Sequence, residues 1–262
     1  MPGSSGDVLE KWHGAGNDFL VALRRHGPAR LDAETARRWC DRHTGVGADG
    51  LIEGTVDARG LVMSLHNADG TRAELSGNGL RCLVAAATAH GLVPEGTLDV
   101  ATEAGARRVT VALDPSGERA WGSVAMGPVE VEAGGSLETG VRAVVGNPHV
   151  VVRDDGAAEV ALIERAAALV GADAAGANVE FVTVHRPDLL SIRVVERGAG
   201  RTLACGTGSC AAAAVAHRLG LVGPHVTVAN PGGDLDVTLT DGTAELAGPA
   251  VRVATVSLAE DW

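Results

Sequence analysis

The sequence predicts an α+β protein of two pseudo-symmetric α/β domains, each a mixed sheet around a central helix, with the active site in the cleft between them. Three observations predict it. Residues 73–93, AELSGNGLRCLVAAATAHGLV, return at 202–222 as TLACGTGSCAAAAVAHRLGLV, an offset of 129. Short β-branched runs bounded by Gly, Pro, Asp or Asn outnumber helical stretches, which favours a mixture of sheet and helix. A chain of 262 residues is also long enough for two cores of ordinary size.

The expected strands are DFLVAL, LVMSLHN, RRVTVAL, SIRVVE, HVTVAN, LDVTLT and VRVATVSL. The expected helices are LDAETARRWCDRH, opened by Asp32 as N-cap, EVALIERAAALVG, closed by Gly171, and the two alanine-rich segments of the repeat. The same offset carries Asn67 to Glu196, so the strand before each loop is repeated as well. Each half then reads strand, turn, strand, Gly-rich loop, helix, and a long repeat present only twice implies paired domains, not a solenoid. The expected first domain is residues 1–125, completed by a returning strand in 251–262, and the second is 126–250. Their boundary falls in WGSVAMGPVEVEAGG, where Gly and Pro are expected to interrupt the strands.

Composition excludes several functions. A formal charge of −11 disfavours nucleic-acid and anionic-membrane surfaces, which need dense basic patches. The N-terminal residues lack the apolar core of a signal peptide and no apolar run approaches a membrane span, so a cytoplasmic protein is expected. Cys40, Cys82, Cys205 and Cys210 have no metal-ligand spacing, which predicts reduced thiols and no metal. Cys82 and Cys210 read as small core residues, and His90 and His217 as caps for helix-end carbonyls.

The chemistry lies in the paired loops. A Gly-rich turn opening a helix leaves backbone N–H groups without intrahelical partners and adds the positive end of the helix dipole, which suits an anion such as a carboxylate. Ser76 leads one loop and Cys205 the other. A helix N-terminus lowers a thiol pKa, so Cys205 is expected to be a thiolate base. One base on each face of the carbon beside a carboxylate is what stereoinversion requires, and the amides would stabilise the developing charge.

HGAGNDF, HNADGTRAELSGNGLRC, GNPH, GANVEFV and ERGAGRTLACGTGSCA together resemble the signature segments of the diaminopimelate epimerase family, in family order from residue 11 to about 253. The resemblance implies a cofactor-independent isomerase that interconverts LL- and meso-diaminopimelate, a small amino-acid substrate, and a homodimer. It makes Cys205 a catalytic base and places His149 and Glu196 beside the catalytic pair. It assigns the substrate to Asn17, Asn67, Gly77, Asn78, Asn147, Asn178, Arg197, Gly206 and Thr207. The family's first catalytic cysteine position is occupied by Ser76, a far weaker acid with no obvious activating base in the sequence. The alternatives are a change that freezes the enzyme, a variant using serine for half of the reaction, or a paralogue: a racemase, epimerase or isomerase for another amino acid, or an impaired amino-acid-binding homologue.

Overall fold

The computed structural model describes residues 8–24, 31–58, 60–171, 176–197 and 200–259. The chain divides into two compact units, Met1–Val124 with Gly248–Trp262, and Ala125–Ala247. The first contains β1 (Val8–Gly14), β2 (Asn17–Arg24), α1 (Ala33–Cys40), β3 (Gly50–Asp57), β4 (Gly60–Asn67), α2 (Gly77–Ala89), β5 (Gly96–Thr102) and β6 (Gly105–Leu113). β7 (Arg119–Pro128) begins in it and ends in the second. The second continues with β8 (Glu130–Val131), β9 (Val141–Val145), β10 (Asn147–Arg153), α3 (Glu159–Val170), β11 (Asn178–Arg186), β12 (Leu189–Glu196), β13 (Gly200–Thr202), α4 (Gly206–Arg218), β14 (His225–Asn230) and β15 (Gly233–Thr240). β16 (Thr243–Thr255) starts there and finishes in the first unit.

The order of strand pairings is the same in both units. From β1 to β7 neighbours pair antiparallel, parallel, antiparallel, parallel, antiparallel and antiparallel. The path β9, β10, β11, β12, β14, β15, β16 gives the same series. Parallel neighbours need a crossover connection, and the four helices supply them: α1 between β2 and β3, α2 between β4 and β5, α3 between β10 and β11, α4 between β12 and β14. The result is the mixed, strand-rich α+β class that the sequence predicts.

One helix in each unit is buried on nearly every side. α2 packs on β1, β2, β3 and β6, and α4 on β9, β10, β11, β12 and β15. Cys82 to Ala87 and Cys210 to Ala216 are all buried, as expected for a helix that is apolar all round; the alanines let surrounding strands approach closely. The shorter helices cover other faces: Leu162 and Ala166 of α3 pack on Val150, Val179 and Phe181, while Ala36, Trp39 and Cys40 of α1 pack on Leu20 and Leu51.

Several local expectations are corrected. α1 stops at Cys40, short of the predicted His43, because the Asp41 carboxylate accepts the backbone N–H groups of His43 and Thr44 and so competes with the helix. WGSVAMGP is not interrupted: β7 runs through Gly122, where a Cβ would stand 2.9 Å from the Thr110 carbonyl oxygen. Of VRVATVSL only the first five residues are strand: they are the last part of the thirteen-residue β16, which ends at Thr255. His217 Nδ1 meets the Val222 carbonyl at 3.0 Å, beyond the end of α4, and His90 Nε2 lies 3.1 Å from the Glu10 carboxylate, so neither of these bonds is the expected one to a helix-end carbonyl. No helix among the described residues is long and apolar enough to cross a membrane.

Candidate active site

The sequence motifs become two helix caps. Ser76 is the N-cap of α2, in extended backbone, and its Oγ accepts the Gly79 N–H at 3.0 Å. Cys205 is the N-cap of α4, in the same conformation, and its Sγ accepts the Gly208 N–H at 3.4 Å. Each side chain thus satisfies one amide of a first turn that has no intrahelical acceptor. The amides of Gly77 and Asn78, and of Gly206 and Thr207, occupy the first two positions of their helices, where a helix start offers hydrogen-bond donors to an anion.

Around Ser76 the side chains form a chain of amides anchored by a buried cation. Arg81 is wholly buried, and its Nη2 donates to Asn78 Oδ1 at 2.6 Å. Asn78 Nδ2 donates to Asn17 Oδ1 at 3.2 Å, and Asn17 Nδ2 to Asp49 Oδ2 at 2.9 Å. Asp49 shares Arg42 with Asp18. Burial alone would raise the Asp18 carboxyl, but hydrogen bonds and charge from Arg42 and Lys11 outweigh it and hold the pKa at about 2. Asn17 and Asn78, both predicted ligand residues, are therefore brought together. Asn67 stands apart from this chain: its amide donates to Thr71 Oγ1 at 2.9 Å, and its carbonyl accepts the Gly70 N–H, bonds that serve the turn after β4.

Around Cys205 the surroundings are acidic. Glu196, at the end of β12, accepts from Thr202 Oγ1 and stands close enough to the Cys205 thiol for each to influence the other's charge. Burial raises the Glu196 carboxyl above the usual range, against the pull of Thr202 and Cys205. Glu180 is fully buried, and a Cβ added at Gly208 would stand 2.5 Å from its Oε1. Burial first, then the nearby carboxylates Glu196 and Glu180, hold the Cys205 thiol well above the ordinary cysteine range. This corrects the expectation of a resting thiolate: desolvation and two carboxylates outweigh the helix N-terminus, so Cys205 rests as a thiol. Asn230 pins the loop from behind, with its Oδ1 3.4 Å from both the Cys205 N–H donor and Ser209 Oγ.

The remaining predicted residues of this unit lie on neighbouring strand starts. His149 and Asn178 are register partners in the parallel pair β10–β11. His149 Nδ1 lies 2.8 Å from Glu180 Oε1 and its Nε2 lies 2.9 Å from Asn147 Oδ1, so both ring nitrogens are engaged. Asn178 Oδ1 accepts the Arg197 N–H at 2.9 Å, which fixes the backbone of Arg197 just beyond β12. Sequence reasoning missed Glu180, Asn230 and Arg81. The signal for Glu180 was its place two residues after Asn178 within GANVEFV, since alternate strand residues share a face. Among the described residues, no group of three or more His, Cys, Asp or Glu side chains is arranged to hold a metal ion.

Known proteins match both the sequence and the fold. The sequence profile of the diaminopimelate epimerase family matches residues 10–132 and 141–253. The diaminopimelate epimerase of Thermobifida fusca (strain YX) is 39% identical over 93% of this chain and 95% of its own. An O-ureido-serine racemase from Streptomyces lavendulae is 38% identical over 93% of this chain and 92% of its own. Among solved structures, a probable proline racemase from Agrobacterium radiobacter K84 with bound carbonate shares the fold at a TM-score of 0.71 and 18% identity, over 98% of this chain and 94% of that one. A hydroxyproline epimerase from Agrobacterium vitis does so at a TM-score of 0.69 and 17% identity, over 98% and 93%. The chain belongs to the diaminopimelate epimerase family, and is an amino-acid epimerase or racemase of the kind that works without pyridoxal phosphate.

Proposed function

We propose that this protein inverts an α-carbon of diaminopimelate by proton transfer from one face and to the other, with Cys205 serving one face and Ser76 standing at the other. The observation that carries this reading is the Cys205 thiol at the start of α4, in the electrostatic reach of a half-buried Glu196 whose raised pKa makes it a better proton acceptor than an ordinary carboxylate. Glu196 takes the thiol proton, the thiolate removes the α-hydrogen, and the charge flows into the substrate carboxylate. The amides of Gly206 and Thr207, with those of Gly77 and Asn78, hold that carboxylate. A proton from water, oriented by the Ser76 hydroxyl, then reaches the opposite face, and the hydroxide left behind is neutralised through solvent by the proton held on Glu196.

Arg197, with Asn17, Asn67, Asn147 and Asn178, serves the polar groups of the substrate, and the guanidinium suits a second carboxylate. His149, with both ring nitrogens engaged, positions its neighbours instead of carrying the reacting proton. A cytoplasmic homodimer is part of the same proposal. A second reading, inversion of another amino acid, is favoured by the near-equal identity to the diaminopimelate epimerase and the O-ureido-serine racemase.

Exchange of the α-hydrogen with deuterated solvent tests the proposal. The stereoisomer whose α-hydrogen faces Cys205 exchanges, and its mirror centre exchanges much more slowly. Because the thiol pKa is raised, the fraction of thiolate keeps growing above the usual cysteine range, and base-limited exchange climbs with pH instead of levelling near pH 8.5. Exchange with another amino acid but not with diaminopimelate selects the second reading; absence of exchange with all amino acids would reduce the protein to a binding homologue.

A further inference from the structure

Glu180 has no role in the proton transfer described above, yet it is fully buried at the centre of the second unit. Its Oε1 is engaged by His149 Nδ1 at 2.8 Å, and its Oε2 is buried with no hydrogen-bond partner among the described residues. An ionised carboxylate is costly in such a place unless it does something specific there. The alternation of β-strands shows what it is joined to. Asn147 and His149 are two apart on β10, and Asn178 and Glu180 are two apart on β11, so the four side chains share one face of the parallel pair. The intervening Val179, with Val150 and Phe181, belongs to the apolar cluster against α3 on the other face.

On the polar face His149 lies between two side chains: its Nδ1 faces the Glu180 carboxylate and its Nε2 faces Asn147 Oδ1. The ring therefore holds the Asn147 amide by its oxygen end, and turning the amide over would break that contact. The Nδ2 end is left over, and among the described residues no hydrogen bond takes up its hydrogens.

We propose that Glu180 is a positioning residue for substrate recognition: acting through His149, it locks the Asn147 amide with its NH2 group presented to an acceptor oxygen of the bound amino acid. The proposal rests on the reading of Asn147 as a ligand residue. A lone asparagine presents a donor or an acceptor with equal ease, so the lock converts an ambiguous side chain into a donor selective for carboxylate or carbonyl oxygen. The same carboxylate reaches the Gly208 turn of the Cys205 loop, which puts strand β10 and the start of α4 under the control of one side chain.

Double-mutant analysis of diaminopimelate binding by calorimetry, using Glu180→Gln, Asn147→Ala and their combination in the full chain, separates the possibilities. Glu180→Gln keeps the side-chain volume; side-chain ¹⁵N resonances of His149 report whether its environment has changed, and thermal unfolding whether the fold persists. The expected result is a Kd raised about tenfold by Glu180→Gln, a similar rise in Asn147→Ala, no further rise in the double variant, and a shifted His149 spectrum. An equal Glu180→Gln effect with and without Asn147, or no effect in either, overturns the positioning role. Unchanged binding in Asn147→Ala instead overturns the ligand reading on which the role rests. If Glu180→Gln fails to fold, His149→Gln in the same cycle carries the test, because it removes the link while leaving Glu180 in place.

Discussion

The loop at Ser76 and the loop at Cys205 share sequence spacing, cap geometry and the strand order around them, yet their electrostatic surroundings are opposite. α2 and α4 begin 129 residues apart and have equal lengths. Behind the hydroxyl loop lies a buried arginine, Arg81, bonded to Asn78 and to the Gly77 carbonyl. At the corresponding place on α4 is the small Cys210, and the thiol loop instead faces the carboxylates Glu180 and Glu196. Ser76 is half-buried whereas Cys205 is buried. A repeated backbone therefore does not repeat chemistry. The cation favours negative charge at the first loop, and the carboxylates oppose it at the second.

The largest effect expected from this contrast comes from Ser76→Cys. A thiol there occupies a helix N-terminus beside Arg81, without two carboxylates against it, so its pKa should lie below that of Cys205. It becomes the missing base, and net inversion of diaminopimelate rises by about 100-fold or more. Assays under reducing conditions check this by chiral chromatography, and alkylation with iodoacetamide gives a second reading: the new thiol reacts at lower pH than Cys205. A new thiol that is no more reactive than Cys205 would break the comparison, even if activity rose.

A smaller effect distinguishes what backs each first turn. An added methyl at Gly79 would stand 3.0 Å from Ile52 Cδ1, and at the equivalent Gly208, 2.5 Å from Glu180 Oε1. Ile52 ends in a methyl that can turn within apolar surroundings. Glu180 cannot retreat without losing His149. Gly208→Ala is therefore expected to cost about 1–3 kcal/mol as overpacking. Gly79→Ala should fall within about 1 kcal/mol of the parent, since alanine also gains helix propensity over glycine. Urea unfolding of the two variants measures the difference, and equal costs would show that Glu180 is held less firmly than its hydrogen bonds imply.

The legible parts of this molecule are those coded locally. Asp32 caps α1 as the sequence predicts, Gly171 ends α3, and the G-x-G turns start α2 and α4 directly after Ser76 and Cys205. Such features depend on a few adjacent residues, so spacing reveals them. β7 was misread because a glycine in a strand resembles a break until the close approach of Thr110 is seen. The thiol pKa was misread for a deeper reason. The dipole that lowers it is written beside Cys205, whereas the groups that raise it come from β11 and β12 and from burial, which only tertiary packing reveals. Glu180 was hidden in the same way, as one acidic residue in the otherwise apolar VEFV.

The smallest expected effect concerns the caps themselves, and it tests whether serine is at home in the first loop. A hydroxyl is a good hydrogen-bond acceptor and a thiol a weak one, which matches the 3.0 Å bond to Gly79 and the 3.4 Å contact to Gly208. An N-cap serine stabilises its helix by about 1 kcal/mol relative to a side chain that cannot accept. Ser76→Ala should therefore lower stability by about that amount, and Ser76→Cys by a fraction of it. The reciprocal Cys205→Ser should hold or slightly raise stability, because the new hydroxyl is a better acceptor for the Gly208 N–H than the thiol is. Thermal unfolding at neutral pH, where the raised pKa keeps Cys205 uncharged, compares the three without a titration effect. If both exchanges lowered stability equally, each loop would be fitted to its own residue by packing more than by capping. If the signs differ as expected, the cysteine at 205 is retained at a small structural cost, which is the mark of a residue kept for chemistry, while the serine at 76 is the better cap and the poorer base.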